Sequence, residues 1–218
     1  MHRGGDGPCG LRAVVAVIDP ADATLAAYEA GAERYLGASA RPGPPMIAYL
    51  DRLADMVGHG HVLEIGSGPG WDADHLESRG VRVTRTDAAP AFVELLRAAG
   101  HDARLLDVRC DPPGGLYQGV LANAVLVHLS RPQFEDVVHR ARRAVVAGGV
   151  LGFTLKEGDG GGWRQDKLAM PRYFTYWREP AVREVLARTG WPVVCVDHVA
   201  GRKEPWLYVL ARTAGPAA

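Results

Sequence analysis

Cysteine, charge imbalance and long apolar runs are all scarce in this sequence, and each shortage narrows what the protein can do. The three cysteines, Cys9, Cys110 and Cys195, are odd in number, far apart and without a Cys-x-x-Cys pair. This argues against a disulfide framework and against a structural zinc site. His59 and His61 flank Gly60, but no histidines fall at metal-ligand spacing, so no metal is expected. Lys plus Arg and Asp plus Glu each total 25, giving zero formal net charge. No global field is available to gather phosphate backbones or anionic membranes. No apolar run approaches the roughly 20 residues of a membrane span, and the opening MHRGGDGPCG lacks the apolar region of a signal peptide. The expectation is a cytoplasmic protein with neither nucleic acid nor membrane as partner. Hydrophobic residues at 47% and charged residues at 23% of 218 then describe an ordinary globular chain, near the upper size of one domain.

Apolar periodicity divides the chain into parts. Residues 1–23 show little sustained period and read as a flexible tail. From Thr24 to Leu36, Leu25, Tyr28, Ala32, Tyr35 and Leu36 form a helical stripe, and MIAYLDRLADMV forms a second one, so 24–57 reads as an N-terminal helical lid. Short apolar runs then alternate with amphipathic stretches: strands at 61–65, 81–86, 103–107, 119–124 and 149–156, and helices at 71–79, 90–99 and 131–147. This rhythm predicts an α/β fold with a doubly wound, Rossmann-like sheet over 61–156. The remainder, 157–218, holds a glycine-rich loop, a helix near 180–189 and two β-like runs, WPVVCVDHV and EPWLYVLAR, spaced as an antiparallel hairpin. With no repeat and no linker, 24–218 reads as one domain.

The strongest local signal is Glu64-Ile65-Gly66-Ser67-Gly68-Pro69-Gly70, where a buried strand runs into three alternating glycines and then a helix. The loop lies at the carboxyl end of the first strand, where open sheets of this kind bind ligands, and its glycines admit close approach to the backbone. A nicotinamide dinucleotide site wants Gly-x-Gly-x-x-Gly, but the third glycine falls one residue early, and Trp71 stands in its place. No phosphate-binding Gly-x-x-x-x-Gly-Lys-Ser/Thr occurs either. Asp87 and Asp107 end the second and third strands, where each reads either as a helix cap or as a carboxylate delivered to the same sheet edge.

The Glu-x-Gly-x-Gly-x-Gly pattern with Asp87, Asp107 and Asn123 resembles the class I S-adenosylmethionine-dependent methyltransferases, in their small-molecule, type 11/12-like branch. The resemblance covers about half the chain. It implies a seven-stranded sheet with the last strand antiparallel and S-adenosyl-L-methionine as cofactor, leaving as S-adenosyl-L-homocysteine. It assigns the cofactor to Glu64, Gly66, Ser67, Gly68, Gly70, Asp87, Asp107, Val108 and Asn123. Asp87 would grip the ribose, Asp107 and the Val108 backbone the adenine, and Asn123 the methionine half. The implied reaction moves a methyl group to an oxygen, nitrogen or carbon of a small-molecule acceptor, a natural-product intermediate among the candidates. A cofactor-binding protein without methyl transfer is the alternative.

His128, after the fourth strand, is the candidate general base, because its unperturbed pKa lets it take a proton near neutral pH. Packing or capping is its competing role, and positioning alone suffices for many methyl transfers. Candidate acceptor-binding residues are Tyr28 and Tyr35 on the first helix, Lys156 after the fifth strand, and Arg172, Tyr173 and Trp177 in an aromatic segment. The glycine run from Gly158 to Trp163 reads as a mobile lid or a plain connection, and His139 to Arg143 as a solvated helix face. A monomer and a homodimer remain equally open.

Overall fold

The computed structural model describes residues 18–215, so most of the tail expected over 1–23 lies outside the described residues. Its last residues are not tail. Pro20 opens α1 (Pro20–Ala38), and the Asp19 side chain caps it by accepting from the Ala21 amide at 2.8 Å. Proline at a first helical position loses no hydrogen bond, and aspartate satisfies an orphan amide, so the helix starts before its apolar period does. Helix α2 (Pro44–Val57), also led by proline, buries Tyr49, Leu50, Leu53 and Ala54.

Strand and helix then alternate as β1 (His61–Ile65), α3 (Trp71–Ser78), β2 (Arg82–Asp87), α4 (Pro90–Ala98), β3 (Ala103–Leu105), β4 (Tyr117–Ala122), α5 (Arg131–Arg143) and β5 (Val145–Glu157). These five strands pair in parallel in the order β3-β2-β1-β4-β5. After α6 (Glu179–Arg188) come β8 (Val193–Val199) and β9 (Trp206–Arg212), an antiparallel hairpin whose β9 joins the free edge of β5 antiparallel. These seven strands form the expected mixed sheet with the last strand antiparallel, and a further two-stranded hairpin brings the whole sheet to nine.

Alternation along the strands builds two apolar layers. Leu63, Val120 and Leu151 face Phe134, Val137 and Val138 of α5 and Val182 and Leu186 of α6. Val62, Leu121 and Val150 face Leu50 and Leu53 of α2 and Leu76 of α3. Both faces are covered, which is why these strands read as continuous apolar runs.

Two expectations are corrected. The helix predicted to 147 stops at Arg143, and Val145 already belongs to β5. Valines suit either state, but Gly148 at φ +76° cannot continue a helix. The glycine run after β5 is a hairpin, not an open lid: β6 (Gly161–Arg164) pairs antiparallel with β7 (Arg172–Trp177), and β7 adds in parallel to the tip of β5. Glycine gives the short β6 no strand signal of its own, and the aromatic residues of β7 suit a strand as well as a substrate wall.

The N-terminus of α5 carries a capping box: Ser130 Oγ accepts from the Gln133 amide at 3.5 Å and Gln133 Oε1 accepts from the Ser130 amide at 2.9 Å. Gln133 Nε2 also donates to Asp19, tying this cap to that of α1. Ser130→Ala is expected to lower stability by about 1 kcal/mol in urea unfolding, and Ser130→Gly by only a few tenths.

Candidate ligand cavity at the carboxyl edge of the sheet

The ends of β1, β2 and β4, together with α1, enclose a cavity of about 270 Å³. Gly66, Ser67 and Gly68 from the loop after β1 line it, with Asp87, Asp107, Val108, Asn123, His128, Tyr28 and Tyr35. Residues expected from six separate stretches of sequence therefore meet at one place. Parallel strands deliver all their carboxyl ends to one edge, which is the physical reason.

Asp87 explains how the glycine loop keeps its shape. Its Oδ2 accepts from the Gly68 amide at 2.9 Å and its Oδ1 from the Ala89 amide at 2.9 Å. Cap and cavity wall are thus the same carboxylate, and with about four acceptor positions it has two to offer a ligand's hydroxyls. Burial raises its pKa, while the amides of Ala89 and Gly68 oppose the rise. Ser67 Oγ accepts from the Thr86 amide at 3.1 Å and fixes the loop to β2. Gly70 stands behind the cavity as the cap residue of α3, and Glu64 is also outside it. Glu64 Oε2 has no hydrogen-bond partner among the described residues, and burial, aided by the carboxylate of Asp72, pushes its pKa up.

Asp107 is less free than Asp87. Arg109 folds back on it, donating from Nε at 3.0 Å and from Nη2 at 2.6 Å, and Arg109 Nη1 also reaches Asp22 of α1 at 2.6 Å. Burial alone would raise the Asp107 pKa, but the side chain and amide of Arg109 hold it below its ordinary value. Val108 is positioned from outside by Arg140, which donates to the carbonyls of Val108 at 3.0 Å and Arg109 at 2.7 Å and to that of Asp111. The expected solvated face of α5 therefore includes one arginine that holds the cavity loop.

Asn123 bridges two walls: its Nδ2 donates to Asp72 at 2.6 Å and its Oδ1 accepts from Thr154 at 2.7 Å. Asp72 lines the cavity and was missed, because an acidic residue in the first turn of a helix has an adequate role in the helix dipole. Trp71, Arg109 and Lys167 are further lining residues without a local sequence signal.

His128 sits on a single 3-10 turn, Leu126–His128, directly under α1. Its Nδ1 lies 2.7 Å from the Tyr173 carbonyl, which can only accept, so the ring proton is on Nδ1. Nε2 then accepts a hydrogen bond from the Tyr28 hydroxyl at 2.9 Å, while Tyr28 accepts from Arg172 Nη1 at 3.0 Å. Burial lowers the His128 pKa to about 4, with the Tyr173 hydrogen bond opposing and Arg172 and Lys156 adding to the fall. The imidazole is neutral at physiological pH, with a basic nitrogen facing Tyr28. Burial raises the Tyr28 pKa, so the phenol keeps its proton. Tyr28, Tyr35 and Phe92 form an aromatic cluster, with Tyr28–Tyr35 centroids at 5.4 Å and Tyr35–Phe92 at 5.7 Å, that fastens α1 over α4.

The other expected acceptor contacts are not brought to the cavity wall. Lys156 is buried against Phe174 at 4.1 Å and paired with Glu204 at 3.2 Å. Trp177 is packed on Phe134 at 4.5 Å in the core, and Arg131 covers it. Tyr173 acts through its backbone, donating its amide to Thr24 Oγ1 at 2.9 Å as well as accepting from His128. Arg172 stands one hydrogen bond behind Tyr28 and pairs with Asp166 at 3.1 Å. Among the described residues no cluster of three potential metal ligands occurs, and no helix is long and apolar enough to cross a membrane.

Comparison with known proteins gives this geometry a context. Residues 62–149 match a family described as a methyltransferase domain. The chain is similar to the 1,6-didemethyltoxoflavin N1-methyltransferase of Burkholderia thailandensis, solved with 1,6-didemethyltoxoflavin and S-adenosylhomocysteine. Identity is 21% and the TM-score 0.68, over 96% of this chain and 93% of that one. It is similar to DhpI, solved with S-adenosylhomocysteine, at 25% identity and a TM-score of 0.68, over 92% of this chain and 100% of that one. A third likeness is to the magnesium protoporphyrin IX methyltransferase of Synechocystis PCC 6803, solved with S-adenosylmethionine. There identity is 13% and the TM-score 0.73, over 91% and 99% of the two chains. Among the curated proteins compared, none matches the sequence. Residues 62–149 are thus a methyltransferase domain, within a fold shared with these solved methyltransferases.

Proposed function

We propose that this chain, whose residues 62–149 form a methyltransferase domain, transfers the methyl group of S-adenosyl-L-methionine to an oxygen, nitrogen or carbon of a small-molecule acceptor. The observation that carries the reading is the single cavity in which the Gly66–Gly68 backbone and the half-satisfied Asp87 carboxylate meet. The residues fit the cofactor. Asp87 has acceptor positions for two ribose hydroxyls, and Gly68 has nothing within 4 Å of where a Cβ would stand, so a ligand can lie against the backbone. Leu106, Val108 and Phe92 give a flat base apolar surroundings, and Asp72 with Asn123 offers acceptors to an ammonium group. When bound, the cofactor supplies an electrophilic methyl group. The chain's own part is to orient both partners, exclude water beneath α1, and place the Tyr28 hydroxyl, backed by the proton acceptor His128 Nε2, at the cavity wall.

Small acceptors, natural-product intermediates among them, suit a cavity capped by α1, and the similar Burkholderia N1-methyltransferase was solved with the small molecule 1,6-didemethyltoxoflavin bound. Of the expected acceptor contacts, Tyr28 and Tyr35 stay in this reading as wall residues, whereas Lys156, Arg172, Tyr173 and Trp177 support the wall from behind.

Calorimetric titration with S-adenosylhomocysteine, run beside Asp87→Ala and an NADH control, tests this. The wild type is expected to bind, with an affinity about 100-fold weaker in the variant, because hydrogen bonds to a charged partner each contribute about 1.5–3 kcal/mol. Binding of NADH in preference to S-adenosylhomocysteine would overturn the proposal.

A further inference from the structure

We infer that the acceptor is a flat acid whose anionic group is held by Lys167, an inference that rests on the methyltransferase reading and adds the acceptor's charge to it. The hairpin β6–β7 hangs its connecting turn, residues 165–171, against α1, where Leu168 is buried against Gly31. This contact sets the preceding residue, Lys167, at the cavity wall, with its ammonium 4.9 Å from the centre of the Tyr35 ring.

The cations around this wall differ in their partners. Arg172 is paired with Asp166, Lys203 with the other oxygen of Asp166, and Lys156 with Glu204. Lys167 has no carboxylate within ion-pair distance among the described residues. It is also the one of these four whose side chain lines the cavity. Lys167 is exposed at the cavity rim, where the neighbouring Arg172 adds positive charge and the Asp166 carboxylate, already shared by Arg172 and Lys203, only partly offsets it. An anion arriving from solvent finds there an ammonium with all its donors free of a carboxylate among the described residues.

The cavity is polarised in a way that sorts its occupants. Asp72 and Asp87 stand on the side of the glycine loop, where a cationic ligand group is favoured, and Lys167 stands on the side of the hairpin. Between them Tyr28, Tyr35, Met46 and Trp71 supply flat and apolar wall. An acceptor with an aromatic body and a carboxylate fits these surfaces, whereas an amine placed at Lys167 would meet a like charge.

The probes are matched pairs differing only in charge, salicylate with salicylamide and 4-hydroxybenzoate with 4-hydroxybenzamide. Each is titrated into the protein saturated with S-adenosylhomocysteine, for the wild type, Lys167→Met and Lys167→Arg. Saturation itself separates the two readings, since failure of S-adenosylhomocysteine to bind the wild type would remove the methyltransferase proposal rather than this one. The expected result is that the wild type prefers at least one acid over its amide by about tenfold or more, a preference lost in Lys167→Met and kept in Lys167→Arg. Equal response to acid and amide throughout the panel, or a preference that survives in Lys167→Met, overturns the assignment.

Discussion

Gly66→Ala is expected to lower stability by about 2–5 kcal/mol and to abolish binding of S-adenosylhomocysteine, whereas Gly68→Ala, two residues away, lowers stability by only about 1–2 kcal/mol. Both glycines hold left-handed backbone, Gly66 at φ +66° and Gly68 at φ +51°. Each alanine therefore carries the strain of an L-residue in that region, about 1–2 kcal/mol. The difference is what a Cβ would meet. At Gly66 it would stand 2.4 Å from Val125 Cγ2, while at Gly68 nothing lies within 4 Å. Val125 cannot retreat easily, because it follows Ala124, itself held at φ +56° with its amide bonded to Thr154 Oγ1 at 2.9 Å. Overpacking of this kind adds about 1–3 kcal/mol and displaces the end of β4. Urea unfolding of the two variants checks the difference. Equal losses would show that backbone strain alone matters, and that Val125 does not clamp the loop. For binding the expected order is partly reversed in cause: Gly68→Ala keeps the fold but sets a methyl group on the surface a ligand would approach.

The sheet was legible because its strands are buried on both faces. HVLEI over 61–65 is the β1 observed, residue for residue, and the WPVVCVDHV and EPWLYVLAR runs are the β8–β9 hairpin. Elements governed by local chemistry in competition with period were misjudged at their ends. Pro20 and Asp19 start α1 four residues ahead of its apolar stripe, and Val145 leaves α5 for β5 although valine and alanine continue the pattern of the helix. At the cavity, residues tied to strand ends were readable because topology alone brings Gly66, Asp87, Asp107 and Asn123 together. Lys167 and Arg140 were not, since the first depends on a turn seated against Gly31 and the second on a helix crossing the 108–111 segment. Trp177 shows the opposite error. An aromatic-rich stretch suggested a substrate wall, but strand alternation sends its indole into the core beside Phe134.

His128 is expected to cost up to about 3 kcal/mol of stability as the pH falls from 6.5 to 4. The folded protein holds the imidazole neutral down to a pKa of about 4, against 6.5 when unfolded. Above pH 6.5 both states are neutral and the residue adds no pH dependence. Between the two values the unfolded chain binds the proton and the folded chain does not, so acidification favours unfolding, at about 1.4 kcal/mol for each unit of separation. His128→Gln keeps a donor for the Tyr173 carbonyl and an acceptor for Tyr28 but does not titrate. Its stability is therefore expected to fall less than the wild type's across this window, the difference between the two curves being the contribution of His128. Denaturant unfolding at pH 7.5, 5.5 and 4.5 measures it; parallel curves would mean that His128 gains its proton in the fold as easily as in solution. A base already neutral at pH 5 gives no rising limb near pH 6.5 in a rate profile, so an acidic limb of methyl transfer due to His128 belongs near pH 4. Removing the Tyr28 hydroxyl, as in Tyr28→Phe, uncovers Nε2 to water and is expected to move that limb upward, toward the ordinary histidine value.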